Sequence, residues 1–189
     1  MNEKQALNKA YVPFRNRFTL DNFLTKVNNL EDSKWNFVRA CLLYQKALSC
    51  KRCEPNVAMV LLCSCAEAIK ITGSWESKRN FREFYLRYCP ADKRGSPIKY
   101  YRPGKRLPPQ PASFDKALDF IYSKFRSLYV HEGIGRLETP PEDITLFKDT
   151  LLDAYKGKIY IIDKEKILEW FADITLESLH CFLKQTRVK

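Results

Sequence analysis

Arg126 and His131 are of the two residue types that acid–base chemistry at a phosphate needs, and four residues separate them. Histidine can take or give a proton near neutral pH, because its unperturbed pKa is about 6.5. Arginine is always charged, and its planar guanidinium can bind two oxygen atoms of one anion. The pair therefore supplies about half of the groups that would cleave a phosphodiester without a metal ion.

Both residues fall on a predicted helix that begins after Ser113 and ends at Gly133. Residues five apart on an α-helix lie about 140° apart around its axis. Arg126 and His131 would therefore flank a common groove, or meet if the end of the helix is distorted. The helix dipole would favour the protonated form of His131, which suits an acid more than a base. The predicted core stripe of this helix is Phe114, Leu118, Ile121, Phe125 and Leu128.

The segment FRSLYVHEG, residues 125–133, resembles a block of a known family. Arg126 and His131 match the R-x4-H signature of HEPN domains (higher eukaryotes and prokaryotes nucleotide-binding). The segment is also similar to the RS-x-x-VHG block of the ApeA-like members. The apolar segment LLCSCAEAIK, residues 61–70, resembles the second helix of that group. The resemblance covers roughly residues 34–184, and only the block at 125–133 is specific.

The resemblance implies a metal-independent endoribonuclease that acts as a homodimer in toxin activity or antiviral defence. In such a site the ribose 2′-OH attacks the adjacent phosphate, and the products carry 2′,3′-cyclic phosphate (or 3′-phosphate) and 5′-hydroxyl ends. Arg126 would bind the scissile phosphate and His131 would move protons. A two-fold dimer would bring two copies of each residue into one cleft. The implied partners are RNA and an antitoxin or another defence protein, and no cofactor is expected.

Three further residues are expected to support this pair. Glu67 lies in the most apolar stretch of the chain, and a buried carboxylate needs a partner. Arg126 is one candidate for that partner; the alternative is that Glu67 faces a groove and pairs with Lys70 or solvent. Ser127 fits the polar position that follows the arginine in many catalytic HEPN proteins. Tyr129 also flanks the pair.

Residues 89–112 break the helical pattern with six prolines and a run of cations. Long loops inside a compact domain are usually functional or disordered. Cations can follow a phosphate backbone while tyrosines stack on bases, so this loop is predicted to bind RNA. A solvated loop without a ligand is the alternative. The predicted RNA-binding residues are Lys93, Arg94, Lys99, Tyr100, Tyr101, Arg102, Lys105 and Arg106.

The rest of the sequence predicts an all-α fold, a HEPN-like helical bundle with a long basic loop and at most a short β element. Residues 1–33 are expected to form an arm or short helix, and residues 34–189 the bundle domain. The first bundle helix has its predicted core stripe at Trp35, Val38, Leu42, Gln45 and Leu48. A short strand is expected at 158–162. The other predicted helices span about 33–52, 54–73, 77–88, 142–155 and 164–184.

Composition favours a basic globular protein with a polyanionic partner. The chain has 189 residues, of which 45% are hydrophobic, and this argues against global disorder. Its 33 Lys and Arg against 22 Asp and Glu give a net charge of +11, which favours nucleic acid as a partner. No apolar run is long enough to span a membrane, and the N-terminus has no secretory signal. The seven cysteines are therefore expected to be reduced thiols in a cytoplasmic protein.

Other chemistries have weaker support. A zinc site needs four ligands, whereas Cys50 and Cys53 form one isolated pair and Cys63 and Cys65 fit a buried helix. No metal site is expected. The pair at 126 and 131 has its own structural alternative, a surface arginine and a histidine that caps the helix. The competing function is then a non-catalytic RNA- or nucleotide-binding module, or a dimerisation scaffold.

Overall fold

The computed structural model describes residues 1–70, 76–104, 107–127, 130 and 150–185. The helices of this part are α1 (Glu3–Tyr11), α2 (Leu20–Asn28), α3 (Lys34–Cys50), α4 (Pro55–Ala68), α5 (Ser77–Tyr88), α6 (Phe114–Ile121) and α7 (Lys164–Gln185). A π-helical turn, Tyr122–Ser127, continues α6, and 3-10 turns occupy Val12–Phe14, Glu31–Ser33 and Ala91–Lys93. The strands are β1 (Lys99–Tyr101), β2 (Gln110–Pro111), β3 (Thr150–Tyr155) and β4 (Lys158–Asp163). The fold is mostly helical, with one small antiparallel sheet in the order β2-β1-β4-β3.

Helix α4 lies at the centre of the helical layer, as its apolar sequence predicts. It packs against α3, α5, α7 and the π-helical turn. Pro55 occupies its first position, where a missing N–H costs nothing. The prediction that this helix continues to Gly73 is wrong. The backbone becomes extended at Ile69, whose side chain is buried, so the helix ends at Ala68.

Residues 1–33, expected as an arm or short helix, are packed into the same core as the rest of the chain. Helix α1 starts with a capping box formed by Asn2 and Gln5. Phe14 and Phe23 have no exposed surface, and their ring centroids lie 5.6 Å apart. The ring of Phe14 also lies 6.0 Å from that of Phe37 on α3. These contacts join α1 and α2 to the helical layer.

Helix α3 has the predicted bounds, but the predicted core stripe is displaced around its axis. Val38 is buried as predicted, but Trp35 and Leu48 are 49% and 45% exposed, whereas Phe37, Cys41 and Tyr44 are buried. Because α1, α2, α4 and α7 all contact α3, its buried face is set by several neighbours rather than by one apolar stripe. Spacing alone could not distinguish these two faces, since both carry apolar residues at helical intervals.

The sheet is larger than the short β element that the sequence predicts. Residues 150–155, expected to be part of a helix, form β3, and residues 142–149 lie outside the described residues. Lys156 and Gly157 both have positive φ, at 48° and 69°, which is the backbone of a tight two-residue hairpin. Strands β1 and β2 come from the proline-rich loop at 89–112. The pairing partner β4 is far along the chain, so local pattern did not predict it.

None of the described helices is both long enough and apolar enough to cross a lipid bilayer.

Candidate active site

Glu67 and Arg126 form a bidentate ion pair between α4 and the π-helical turn. Arg126 Nε donates to Glu67 Oε1 at 3.1 Å, and Arg126 Nη2 donates to Oε2 at 3.2 Å. Of the two alternatives for Glu67 that the sequence left open, the structure contains the pairing with Arg126. This geometry fixes the plane of the guanidinium, because both hydrogen bonds would have to break for it to rotate.

The ion pair is largely withdrawn from solvent, and its arginine stays charged. The Arg126 and Glu67 side chains are 18% and 14% exposed. Burial lowers the pKa of Arg126, but the hydrogen bond and charge of Glu67 outweigh it, and the net shift is upward. Burial, reinforced by the charge of Glu67, raises the pKa of Tyr122, which keeps this neighbouring phenol protonated.

Within the described residues, part of the hydrogen-bonding capacity of Arg126 is unused. A guanidinium has five N–H donors, and Glu67 occupies only the edge formed by Nε and Nη2. Among the described residues, no acceptor is recorded for Nη1. The Nη1–Nη2 edge can therefore bind a second anion, and the carboxylate would hold that edge at a fixed angle.

The π-helical turn gives Arg126 its position. Tyr122 and Phe125 are buried on the core side of this turn, and Ser127 is half-buried at its end. A π-helical turn is rare and often occurs at functional sites, since the wider spiral displaces side chains relative to a regular helix. The sequence predicts only a regular helix here. The predicted angle of about 140° around the axis applies to an α-helix and does not describe this segment.

Several predicted site residues lie outside the described residues. These are His131, Tyr129, Lys105 and Arg106. Val130, which precedes His131, is described as helical and is 48% exposed. The proposed roles of the four residues therefore stay predictions.

A second polar cluster, not predicted from the sequence, adjoins the π-helical turn. Asp119 on α6 accepts from Lys78 Nζ at 2.5 Å, from Lys156 Nζ at 2.7 Å and from the Tyr155 hydroxyl at 3.1 Å. Ser123 on the turn lies 2.9 Å from the same hydroxyl. Burial raises the pKa of Asp119, but the hydrogen bonds outweigh it and the net shift is downward. The cluster joins α5, α6 and the β3–β4 hairpin around a stable carboxylate, so it braces the turn that carries Arg126.

Two of the residues predicted to bind RNA make contacts within the fold. Lys93 pairs with Asp173 of α7 at 3.1 Å. Arg94 donates to the carbonyl oxygens of Leu86 and Cys89 at 2.8 and 3.0 Å, and so satisfies the C-terminal end of α5. Their cationic groups are engaged with protein acceptors.

The predicted residues on β1 and just after it remain available to a ligand. Lys99 and Arg102 are exposed, and Tyr100 and Tyr101 are half-buried. A cleft at the end of β1 is lined by the two tyrosines, Arg102, Leu107, Pro108 and Gln110. Lys93 and Arg94 thus have acceptors within the protein, whereas the described residues from Lys99 to Arg102 include exposed cations beside two tyrosines.

His180, the other histidine, belongs to a separate cluster between the N-terminal segment and α7. Arg17 Nη1 lies 2.9 Å from His180 Nδ1 and donates to Glu177 at 2.7 Å. Burial is the main cause of a lowered pKa at His180, and the charge of Arg17 adds to it. His180 is therefore held neutral, and this cluster fixes the N-terminal segment against α7.

All seven cysteines are free thiols. Burial raises the pKa of Cys63 and Cys65 well above the usual range, so both are unreactive core side chains. In the described ranges, no group of three or more His, Cys, Asp and Glu side chains has the geometry to hold a metal ion.

Comparisons with protein-family models, with curated proteins and with solved structures find no match to this chain.

Proposed function

We propose that the protein is a metal-independent endoribonuclease of the HEPN class. The observation that supports this most is the ion pair between Glu67 and Arg126, which holds a guanidinium at a fixed angle while Nη1 has no acceptor among the described residues. Arg126 also stands in the R-x4-H spacing with His131.

In the proposed reaction, the free edge of Arg126 binds the non-bridging oxygens of the scissile phosphate. The negative charge on these oxygens grows as the ribose 2′-OH attacks, so a fixed cation stabilises the transition state more than the substrate. His131 transfers a proton to the leaving 5′-oxygen, and the 2′-hydroxyl proton goes to a second base. The 2′-oxygen forms a bond to phosphorus as the P–O5′ bond breaks, which balances the reaction without water or a metal ion.

One histidine cannot act as base and acid within the same step, so the proposed site contains two. A two-fold homodimer would supply a second His131 and a second Arg126. The exposed Val130 lies beside the arginine-bearing turn, where a partner would cover it. The proposed setting is RNA cleavage by a toxin or in antiviral defence.

Labelled single-stranded RNA incubated with the protein in EDTA tests this proposal. We expect cleavage by the wild type, and a loss of at least about 100-fold in rate for His131→Ala and Arg126→Lys. Arg126→Lys keeps the charge but loses the paired donors, so it separates geometry from charge. The matched control is Arg87→Lys, a substitution at an exposed position in the last turn of α5. Circular dichroism must show that each variant is folded.

The alternative is an RNA-binding module that does not cut. The accessible cations and tyrosines on β1 favour it, because they could bind RNA without Arg126. Tight binding that weakens with salt, with no cleavage by the wild type, would support this alternative and contradict the proposed nuclease.

A further inference from the structure

The β3–β4 hairpin connects the arginine-bearing turn to the cleft at β1 through a line of tyrosine rings. Tyr155 lies next to the turn, with its hydroxyl 2.9 Å from Ser123 Oγ. Its ring centroid is 6.1 Å from that of Tyr160, and the Tyr160 ring is 5.8 Å from that of Tyr100. Tyr100 in turn lines the cleft. The two ends of this surface are therefore separated by only three aromatic rings.

Lysines follow the same line. Lys124 and Lys156 lie 5.7 and 5.1 Å from the centroid of Tyr155. Lys158 and Lys116 lie 4.7 and 5.4 Å from the centroid of Tyr100. We call this surface the tyrosine–lysine row, made up of Tyr100, Tyr155, Lys116, Lys156 and Lys158. Tyr160 is buried, at 3% exposure, and packs against both tyrosine rings from the core.

At the end that meets the cleft, the lysines of the row have no acidic partner among the described residues. Lys124 and Lys156 pair with Asp153 and Asp119 near the turn. No acidic partner of Lys116 or Lys158 is recorded within the described ranges. Two ammonium groups held near one ring repel each other, and an anion between them would relieve this repulsion. Within the described ranges, Lys99 and Arg102 also have no acidic partner, and they lie on either side of the two tyrosines of β1 in the sequence.

The cleft beyond the row has the chemistry of a base-binding site. Tyr101 offers an aromatic face and Leu107 an apolar edge that is 59% exposed. Gln110 carries an amide that can both donate to and accept from the edge of a base. Aromatic stacking with modest hydrogen bonding is how single strands are bound with little sequence preference.

We propose that the tyrosine–lysine row and the cleft bind a single-stranded segment of RNA that extends away from the scissile bond. Its phosphates lie along Lys158 and Lys116, and a base enters the cleft against Tyr101. The proposal rests on the proposed function for its choice of RNA. Lys116 and Lys158 were not among the residues predicted from the sequence, because they lie on α6 and β4, outside the basic loop.

Binding of a 2′-O-methyl RNA strand tests the row independently of cleavage. This strand, about 12 nucleotides long, has no 2′-OH nucleophile and stays intact. We expect Lys116→Gln/Lys158→Gln to raise the dissociation constant roughly tenfold and to reduce the slope of log affinity against log salt by about 1.4, the loss of two phosphate contacts. Tyr101→Ala should weaken binding roughly tenfold with an unchanged salt slope, since it removes a stacking partner.

The matched control is Lys4→Gln/Lys46→Gln, which removes the same charge from exposed positions on α1 and α3. It should leave the dissociation constant within about twofold. Equal weakening by both double variants would overturn the row, as would an undisturbed affinity in the row variant or no binding by the wild type. A wild type that binds through the row but cuts no unmodified RNA supports the row and contradicts the nuclease.

Discussion

In the proposed site, the carboxylate of Glu67 holds the guanidinium of Arg126. The two residues would therefore have different roles, one binding the substrate and the other positioning its neighbour. Arg126 would touch the phosphate, whereas Glu67 acts only through Arg126. The sequence could predict that Glu67 needs a partner, because an isolated buried carboxylate is costly. It could not choose between partners, since α4 and the π-helical turn are almost 60 residues apart in the chain. That choice depends on tertiary packing.

Glu67→Gln should separate positioning from stability. An amide matches only one of the two guanidinium donors, so the arginine loses its fixed plane. We expect kcat for RNA cleavage to fall by about tenfold or more with KM nearly unchanged, and the free energy of unfolding to fall by about 1–2 kcal/mol. Steady-state kinetics and urea denaturation measure the two effects.

Glu177→Gln is the matched control. Glu177 also pairs with an arginine, Arg17, and has a similar exposure of 16%. Glu177→Gln should lower the free energy of unfolding by a similar amount while leaving the rate of RNA cleavage unchanged. Equal losses of kcat in both variants would show that Glu67 acts through general stability alone.

His180 should make stability depend on pH. Its pKa is lowered in the folded protein, chiefly by burial and also by Arg17 and Lys184, against the opposing charge of Glu177. Below about pH 6.5, the pKa of a histidine in the unfolded chain, the unfolded state therefore binds a proton at His180 more readily than the folded state does. Stability should fall as the pH drops from this value toward the folded pKa, and then level off.

The difference in unfolding free energy between the wild type and His180→Gln, measured by urea denaturation from pH 8 to 5, isolates this effect from the carboxylates. The stability advantage of the wild type should shrink on acidification. A difference that stays constant across this range would contradict the neutral, arginine-bound state of His180.

At the scale of elements, the helices were largely predictable and the sheet was not. The bounds of α3, α5 and α7 follow from apolar spacing of three and four residues, which reports burial locally. Strand β3 was mistaken for a helix, because its stability comes from β4 and from the positive φ of Lys156 and Gly157. The π-helical turn has no simple pattern in sequence. Its partners Glu67 and Tyr155 come from distant elements.

Residues 1–33 should unfold together with the rest of the chain. Phe14→Ala removes a fully buried ring from the contact between the N-terminal segment and α3, and should lower the free energy of unfolding by about 3–5 kcal/mol. The exposed neighbour Val12 provides the control, and Val12→Ala should change stability by about 0.5 kcal/mol or less. A small effect of Phe14→Ala would mean that these residues are an independent arm.

At the scale of the whole molecule, the proposed composite site needs two copies of the chain. The net charge of +11 opposes close approach of two identical subunits, so the interface must place apolar surface or counter-charges near the axis. We propose that Val130 and the ion-paired turn beside it form part of this interface. The sequence gives the total charge, but which cations are neutralised within the fold depends on the tertiary contacts of Lys93, Arg94 and Lys156.

The protein should sediment as a dimer at micromolar concentration. Val130→Asp should dissociate it, because a two-fold axis near this position would bring two carboxylates together. Leu152→Asp, at a similarly exposed apolar position on β3, is the control and should leave the dimer intact. A monomeric wild type would contradict the composite site, and so would a dimer insensitive to Val130→Asp.

The chemistry of the product ends distinguishes attack by the ribose 2′-OH from hydrolysis by water. RNA cut by the wild type in EDTA should carry 2′,3′-cyclic phosphate and 5′-hydroxyl ends, and a single 2′-deoxy nucleotide at the cleaved position should block the cut. Both Arg126→Ala and His131→Ala should leave the same RNA whole. Products with 3′-hydroxyl and 5′-phosphate ends, or cleavage that persists in these variants, would contradict metal-independent cleavage by Arg126 and His131.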